Sequence, residues 1–432
     1  MVKKETSFID LKQVKIDDPF FSRVQNVVIH TMLPYQERVL HDEVSGIRKS
    51  HVIKNFRIAA GDEKGTYYGR VFQDSDLAKW LEAVAYSLTV EANPELEARA
   101  DAIIDLIGRA QQPDGYLDTY FIAAEPEHKW QNLTDCHEMY CAGHMTEAGV
   151  AYYQATGKTK LLDICCKLCD HIDRRFGREA GKVTGIPGHE EIELALMRLY
   201  QATGEERYRK LAAYFIDERG RDPEFFHKEA AARSWSRTDY MDKQPPSYMQ
   251  NHKPVREQDT VEGHAVRCMY LLTAAANLAA QNHDEALMAA CRKMWDNMVD
   301  RRMYITGGIG STYYGEAFTV DYDLPNDTAY AETCAAVGVC FFAKQMLEAD
   351  VSSIVDRAVR QTAVENGLPA HSPEVEVVIC LVTIMMAGAV ESWLRGELTQ
   401  TPEELTRRID MMFQDYIRGV ALRLKAPAAV YA

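Results

Sequence analysis

The 432-residue chain is 47% hydrophobic and 26% charged, an ordinary globular composition with length enough for a large core. Its formal net charge of −15 argues against nucleic acid or an anionic membrane as partner. It opens Met1-Val2-Lys3-Lys4-Glu5-Thr6 with no secretory apolar region, and its longest apolar run, Val377 to Val390, is too short to span a bilayer. Ten cysteines without framework spacing read as free thiols in a reducing compartment, so the expected location is the cytoplasm.

In chain order, Phe20 to Leu40 carries a helical apolar rhythm. From there the pattern is helix, short turn, helix, almost without strand signals. Leu77–Val90 and Leu96–Ile107 form a first pair, split at Asn93-Pro94; Met139–Thr156 and Lys160–Arg175 form a second. Glu191–Thr203 with Glu206–Asp217 and His264–Ala279 with Glu285–Val299 follow, and another pair opens at Thr328. Two pairs share a repeat, Tyr153-Gln-Ala-Thr-Gly157 and Tyr200-Gln-Ala-Thr-Gly204. Glycine there suits a left-handed helix C-cap. Self-similar helical hairpins predict a mainly α chain, an α/α solenoid or closed toroid. Long loops at Gln111–Cys136, Glu218–Val255 and Arg301–Asp327 carry Trp, Tyr, Asp and His. That composition suits a carbohydrate-facing rim, or equally aromatic plugs of the loops themselves.

The stretch Gly315–Cys334 concentrates acidic residues and a thiol. Leu324-Pro325-Asn326-Asp327 reads as a turn and helix N-cap, which would put Glu332 and Cys334 in the first two turns of a helix. Asp321 and Asp323 with Glu332 have a flavour of a calcium loop, but Asn326 stands where that loop needs glycine. Cys165-Cys166-x-x-Cys169 lies mid-helix and reads as packing thiols. His137, His189 and His264, taken singly, read as capping or core histidines, and Glu316 as a loop carboxylate.

Several longer motifs occur in one order: Phe72-Gln73-Asp74-Ser75-Asp76-Leu77-Ala78-Lys79-Trp80, Gln112-Pro113-Asp114-Gly115-Tyr116-Leu117, Cys136-His137-Glu138-Met139-Tyr140, Gly188-His189 and Val261-Glu262-Gly263-His264-Ala265-Val266-Arg267. Over residues 10 to 349 this series resembles glycoside hydrolase family 127, the DUF1680 group of β-L-arabinofuranosidase-like proteins. The resemblance implies an (α/α)6 toroid that hydrolyses terminal arabinofuranose with retention, through a covalent glycosyl-enzyme. It implies a zinc-bound cysteine thiolate as nucleophile and a glutamate as acid/base. Carried over, Glu316 is expected as the acid/base, Glu332 and Cys334 as zinc ligands, and His137, His189 and His264 as ligands of the sugar hydroxyls.

Past Ala349 the expected family features, a long β-containing stretch and an adjacent cysteine pair, are not in the sequence; after Cys340 the one thiol is Cys380. The expected organisation is therefore a catalytic toroid over 1–350 and a helical segment over 351–432, joined near Ala349–Ser352. That toroid would be truncated, or closed by non-family helices. Asp356–Val364, a helix from Ser372-Pro373 to Leu394 and a capping box at Thr401-Pro402-Glu403-Glu404 leading to Leu424 make up the segment. Its pattern is similar to the C-terminal dimerising helices of TetR-type regulators, which suggests a homodimer. The expected activity is an impaired arabinofuranosidase acting on a small carbohydrate or glycan terminus. An inactive sugar-binding or regulatory protein, or a toroid epimerase or uronide hydrolase, are the alternatives.

Overall fold

The computed structural model describes residues 11–233, 235, 239–365, 367–372, 375, 377–379, 404, 407 and 411. It divides into two compact units, Leu11–Gln345 and Met1–Asp10 with Met346–Ala432. The first begins with α1 (Pro19–Val27), which runs through a π-helical turn, Val28–Met32, into α2 (Leu33–Leu40). Then come α3 (Val52–Ala59), α4 (Asp74–Val90), α5 (Pro94–Ala110), the short α6 (Thr119–Ala123), α7 (Glu138–Thr156) and α8 (Lys160–Arg175). They are followed by α9 (Ile192–Thr203), α10 (Glu206–Glu218), α11 (Phe225–Ala232), α12 (Asp239–Asp242), α13 (Ala265–Asn282), α14 (Glu285–Asn297) and α15 (Thr333–Glu365). Among the described residues there is no β-strand; pairing is limited to isolated bridges.

The hairpins fall where the repeats place them. α4 packs on α7, α7 on α9 and α9 on α13, while α5, α8, α10 and α14 each pack behind the helix that precedes them. This alternation of inner and outer helices is that of an α/α toroid. The inner helices are the more apolar: every residue from Ala265 to Ala279 in α13 is buried. The outer α8 buries one stripe, including Leu161, Cys165, Leu168, Cys169 and Ile172, and leaves its charges outside. Gly157 and Gly204 close α7 and α9 at φ 76° and 74°, their N–H groups donating to the carbonyls of Tyr153 and Tyr200 at 2.8 and 2.7 Å. Those are left-handed C-caps, which an L side chain would strain. Cys165 and Cys169 are packing thiols: Cys165 Sγ donates to the Met145 carbonyl at 3.1 Å, and Cys169 Sγ lies 3.4 Å from Thr146 Oγ1.

In the second unit α15 continues to Glu365, so the helix expected over Asp356–Val364 is the end of a longer one. It ends in a turn in which Gly367 and Leu368 donate to Val364 and Ala363 at 2.9 Å each. The helix expected to Leu394 and the capping box at Thr401 fall largely outside the described residues. No helix of the described residues is long and apolar enough to cross a membrane.

Candidate active site

His137, His189 and His264 are brought into one row. Ring centroids of His137 and His189, and of His189 and His264, are each 5.5 Å apart. Backbone neighbours fix their tautomers. His137, at the N-cap of α7 with a left-handed φ of 57°, donates from Nδ1 to the Asp135 carbonyl. His189 Nδ1 donates to the Glu190 carbonyl at 2.9 Å. A carbonyl oxygen only accepts, so both rings carry their proton on Nδ1 and keep a lone pair on Nε2. His264 is the reverse. As N-cap of α13 its Nδ1 accepts from the Arg267 backbone N–H at 3.3 Å, which leaves Nε2 to donate to Glu316 Oε2 at 3.2 Å. Burial pushes His137 down to about 3, His264 to about 4 and His189 well below the usual imidazole range, and the Arg267 charge pushes the same way. All three rings are neutral near pH 7.

Glu316 stands on a tight loop. Gly315 and Glu316 both take left-handed backbone, φ 71° and 55°. A Cβ on Gly315 would lie 3.0 Å from the Tyr248 ring and 3.2 Å from Tyr240 Oη, so the approach also requires glycine. Bridges from Ala317 to His264 and Thr312 fasten the loop to the start of α13. The His264 hydrogen bond, before all else, holds Glu316 below the ordinary carboxylate range. It is a carboxylate at neutral pH.

Glu332 and Cys334 sit differently from the expectation. The helix begins at Thr333 rather than after Asn326-Asp327. Ala331 takes a left-handed φ of 45° because its N–H donates to the Gly310 carbonyl at 3.0 Å, and helix cannot pass through it. Glu332 is thus the cap residue, its carbonyl accepting from Ala336 at 3.1 Å, and Cys334 is the second helical residue. Cys334 hydrogen-bonds the Glu332 carboxylate; burial pushes the carboxyl up and the thiol up to about 11. Ligand atoms of His264, Glu316 and Glu332 all lie within 4.8 Å of one another. Glu332 Oε2 is buried without a partner. A carboxylate oxygen left free beside a thiol is a donor pair zinc accepts, so Glu332 and Cys334 fit one side of a zinc site, while both nitrogens of His264 are taken up by Arg267 N–H and Glu316. The calcium reading fails on geometry: Asp321 is taken up by Arg301, Arg302 and Asn297 at 2.9, 2.8 and 3.0 Å.

Residues outside the expected set also face this cluster. The Tyr140 ring lies 4.5 Å from that of His189, tilted by 53°, and its hydroxyl accepts from Lys79 Nζ at 2.9 Å. The Arg267 guanidinium lies 4.9 Å over the Tyr248 ring, which in turn is 5.9 Å from His264. The signal for Arg267 was in the sequence: it is the one charge in the apolar run Ala265–Ala279. Of the aromatic loop residues, Tyr240, Tyr248 and Tyr314 gather near Glu316, whereas Trp130 is buried between Tyr116 and Phe176 and plugs its loop.

Comparison with known proteins agrees with the motif series. The model of the β-L-arabinofuranosidase GH127 catalytic domain matches residues 13–370, so the family pattern runs past Ala349 instead of stopping there. A non-reducing end β-L-arabinofuranosidase from Bifidobacterium longum subsp. longum is 45% identical over 352 residues, 78% of this chain and 54% of that protein. The crystal structure of a GH127 β-L-arabinofuranosidase from Geobacillus stearothermophilus T6 superposes with TM-score 0.76 at 53% identity, covering 80% of this chain and 54% of the other. Another GH127 β-arabinofuranosidase gives TM-score 0.69 at 34% identity, over 81% and 52%. The chain thus spans about half the length of these relatives. The likeness of residues 351–432 to TetR-type helices finds no support in these matches, which take residues 351–370 into the hydrolase pattern. On the matched motifs, identity and fold together, the chain belongs to glycoside hydrolase family 127.

Proposed function

We propose that this chain binds a terminal β-L-arabinofuranosyl group against His137, His189 and His264 and acts on its glycosidic bond with Glu316 as acid/base. The observation that carries the reading is the convergence of three neutral histidines on one acidic pair, Glu316 and Glu332, whose ligand atoms with His264 lie within 4.8 Å of one another. His137 and His189 offer Nε2 acceptors to sugar hydroxyls. Glu316, ionised in the free protein, is in the form that activates water; a sugar packed over it removes solvent and raises its affinity for a proton, giving the acid form. Glu332 and Cys334 are the residues that would hold zinc. Zinc bound there would supply positive charge that favours a thiolate over a thiol.

Two ligands do not complete a tetrahedral zinc site, and within residues 341–432 the sequence offers only Cys380 as a further thiol. We therefore propose that these 432 residues taken by themselves bind the sugar with impaired turnover. The same two-ligand set favours a second reading, an inactive sugar-binding protein, which differs in binding arabinoside without cleaving it. A homodimer and a cytoplasmic location belong to the same proposal. The latter is supported by the free thiol state of all nine cysteines that the structure describes.

The test is hydrolysis of p-nitrophenyl β-L-arabinofuranoside under reducing conditions, with zinc per chain measured in the same preparation. Slow release of nitrophenol is expected, and Glu316→Gln should lower it by about 10²–10⁴-fold. Turnover undiminished by Glu316→Gln would remove the role given to that residue.

A further inference from the structure

The contrast between two buried arginines carries an inference about what the site binds. Arg219 is fully buried and engaged through both Nη atoms, which donate to the Met249 and Pro187 carbonyls at 2.7 Å each; it pairs with Glu190 at 2.9 Å, and its Nε alone lacks a partner. That is the pattern of a structural arginine. Arg267 is equally hidden, 3% exposed, yet its Nε and Nη1 are buried with no hydrogen-bond partner. It is held from behind by the Tyr248 ring at 4.9 Å. Its backbone N–H caps onto His264, so the side chain leaves α13 within one turn of the histidine row.

Leaving N–H groups of a buried cation unmade is costly, and such groups persist where a ligand completes them. The histidine row says what kind of ligand. His137 and His189 present acceptors only, and the one His264 donor is spent on Glu316; the donors facing the row are therefore the Tyr140 hydroxyl, which accepts from Lys79, and Arg267. A sugar hydroxyl calls for donors as well as acceptors and a ring oxygen for donors alone, and Arg267 supplies a rigid fork of donors. We infer that Arg267 is a substrate-binding residue, donating from Nε and Nη1 to oxygen atoms of the furanoside held by the three histidines. The choice of furanoside rests on the function proposed above; the role of Arg267 as a ligand donor does not.

The experiment measures, on the full chain, calorimetric binding of methyl β-L-arabinofuranoside and the ligand-free melting temperature for wild type, Arg267→Met and Arg267→Lys. Met fills the volume without donors; Lys keeps the charge without the fork. Both variants should bind about 10–100-fold more weakly, the range for one hydrogen bond to a charged group. Ligand-free Arg267→Met should melt at or slightly above wild type, since unmade donors are removed. Binding equal to wild type in Arg267→Met overturns the inference. So does a lowered melting temperature in that variant, which would mark Arg267 as structural. Should wild type itself bind no arabinoside, the proposed function fails. The melting comparison then decides on Arg267 alone: a rise or no change retains it as a donor for another ligand, and a fall removes it.

Discussion

His264 does two things at once, and two substitutions separate them. Its Nδ1 caps the first turn of α13 by accepting from Arg267 N–H, and its Nε2 holds Glu316. His264→Ala removes both. Loss of the cap costs about 1 kcal/mol, and truncating a ring that is 7% exposed leaves a cavity worth about another 1–2 kcal/mol. His264→Asn restores a side-chain oxygen that accepts from the third helical N–H, as asparagine does at N-caps. The Asn variant is therefore expected about 1 kcal/mol more stable than the Ala variant, read from denaturant midpoints at unchanged m-value. Neither variant donates from a ring to Glu316, so in both the Glu316 carboxyl rises toward its ordinary value of 4.5. Carboxyl NMR of isotopically labelled glutamate reads this directly. Equal stability of the two variants would refute the cap. An unmoved Glu316 titration in both would refute the hydrogen bond as the cause of its acidity.

Two further outcomes follow from buried groups near the site. Glu138, which accepts from Tyr116 Oη at 2.6 Å and Trp130 N–H at 2.8 Å, is pushed by burial up to about 8 from 4.5. Above pH 4.5 the unfolded chain releases a proton that the folded one keeps, so this residue makes stability fall as pH rises from 4.5 to 8. Glu138→Gln removes that slope, and the stability of wild type relative to the variant should drop by about 2–4 kcal/mol between the ends of the window in urea titrations. A pH-independent difference would contradict the assignment. Gly188→Ala places a Cβ 2.4 Å from the carbonyl oxygens of both Leu133 and Thr134, atoms of the backbone that cannot swing aside. It should cost about 2–4 kcal/mol and displace His189, weakening sugar binding; a variant as stable as wild type would show that the segment is loose.

The helical hairpins were legible because their signals are local: apolar periodicity along α8, α9 and α10, and glycine at the caps Gly157 and Gly204. The start of α15 was not, because its cause is not local. Pro325-Asn326-Asp327 offers good cap chemistry, but Tyr330 and Ala331 are tied to the Gly310 carbonyl across the loop, at 3.3 and 3.0 Å, and the helix waits until Thr333. That shift matters, because it sets Glu332 at the cap, where its carboxylate meets Glu316 and His264.

The same distinction separates the residues of the site from their roles. The family resemblance offers His137, His189 and His264 alike as ligands of the sugar hydroxyls, where the residues read singly offered only capping or core histidines. Which nitrogen each ring presents depends on a carbonyl at Asp135, a carbonyl at Glu190 and an N–H at Arg267, contacts that exist only once the loops are folded. Those contacts make two of the rings acceptors and commit the third to Glu316. A histidine row built that way has acceptors in hand and no free donor of its own. The one charge in the apolar run of α13, Arg267, is the group on the same helix that can meet the need.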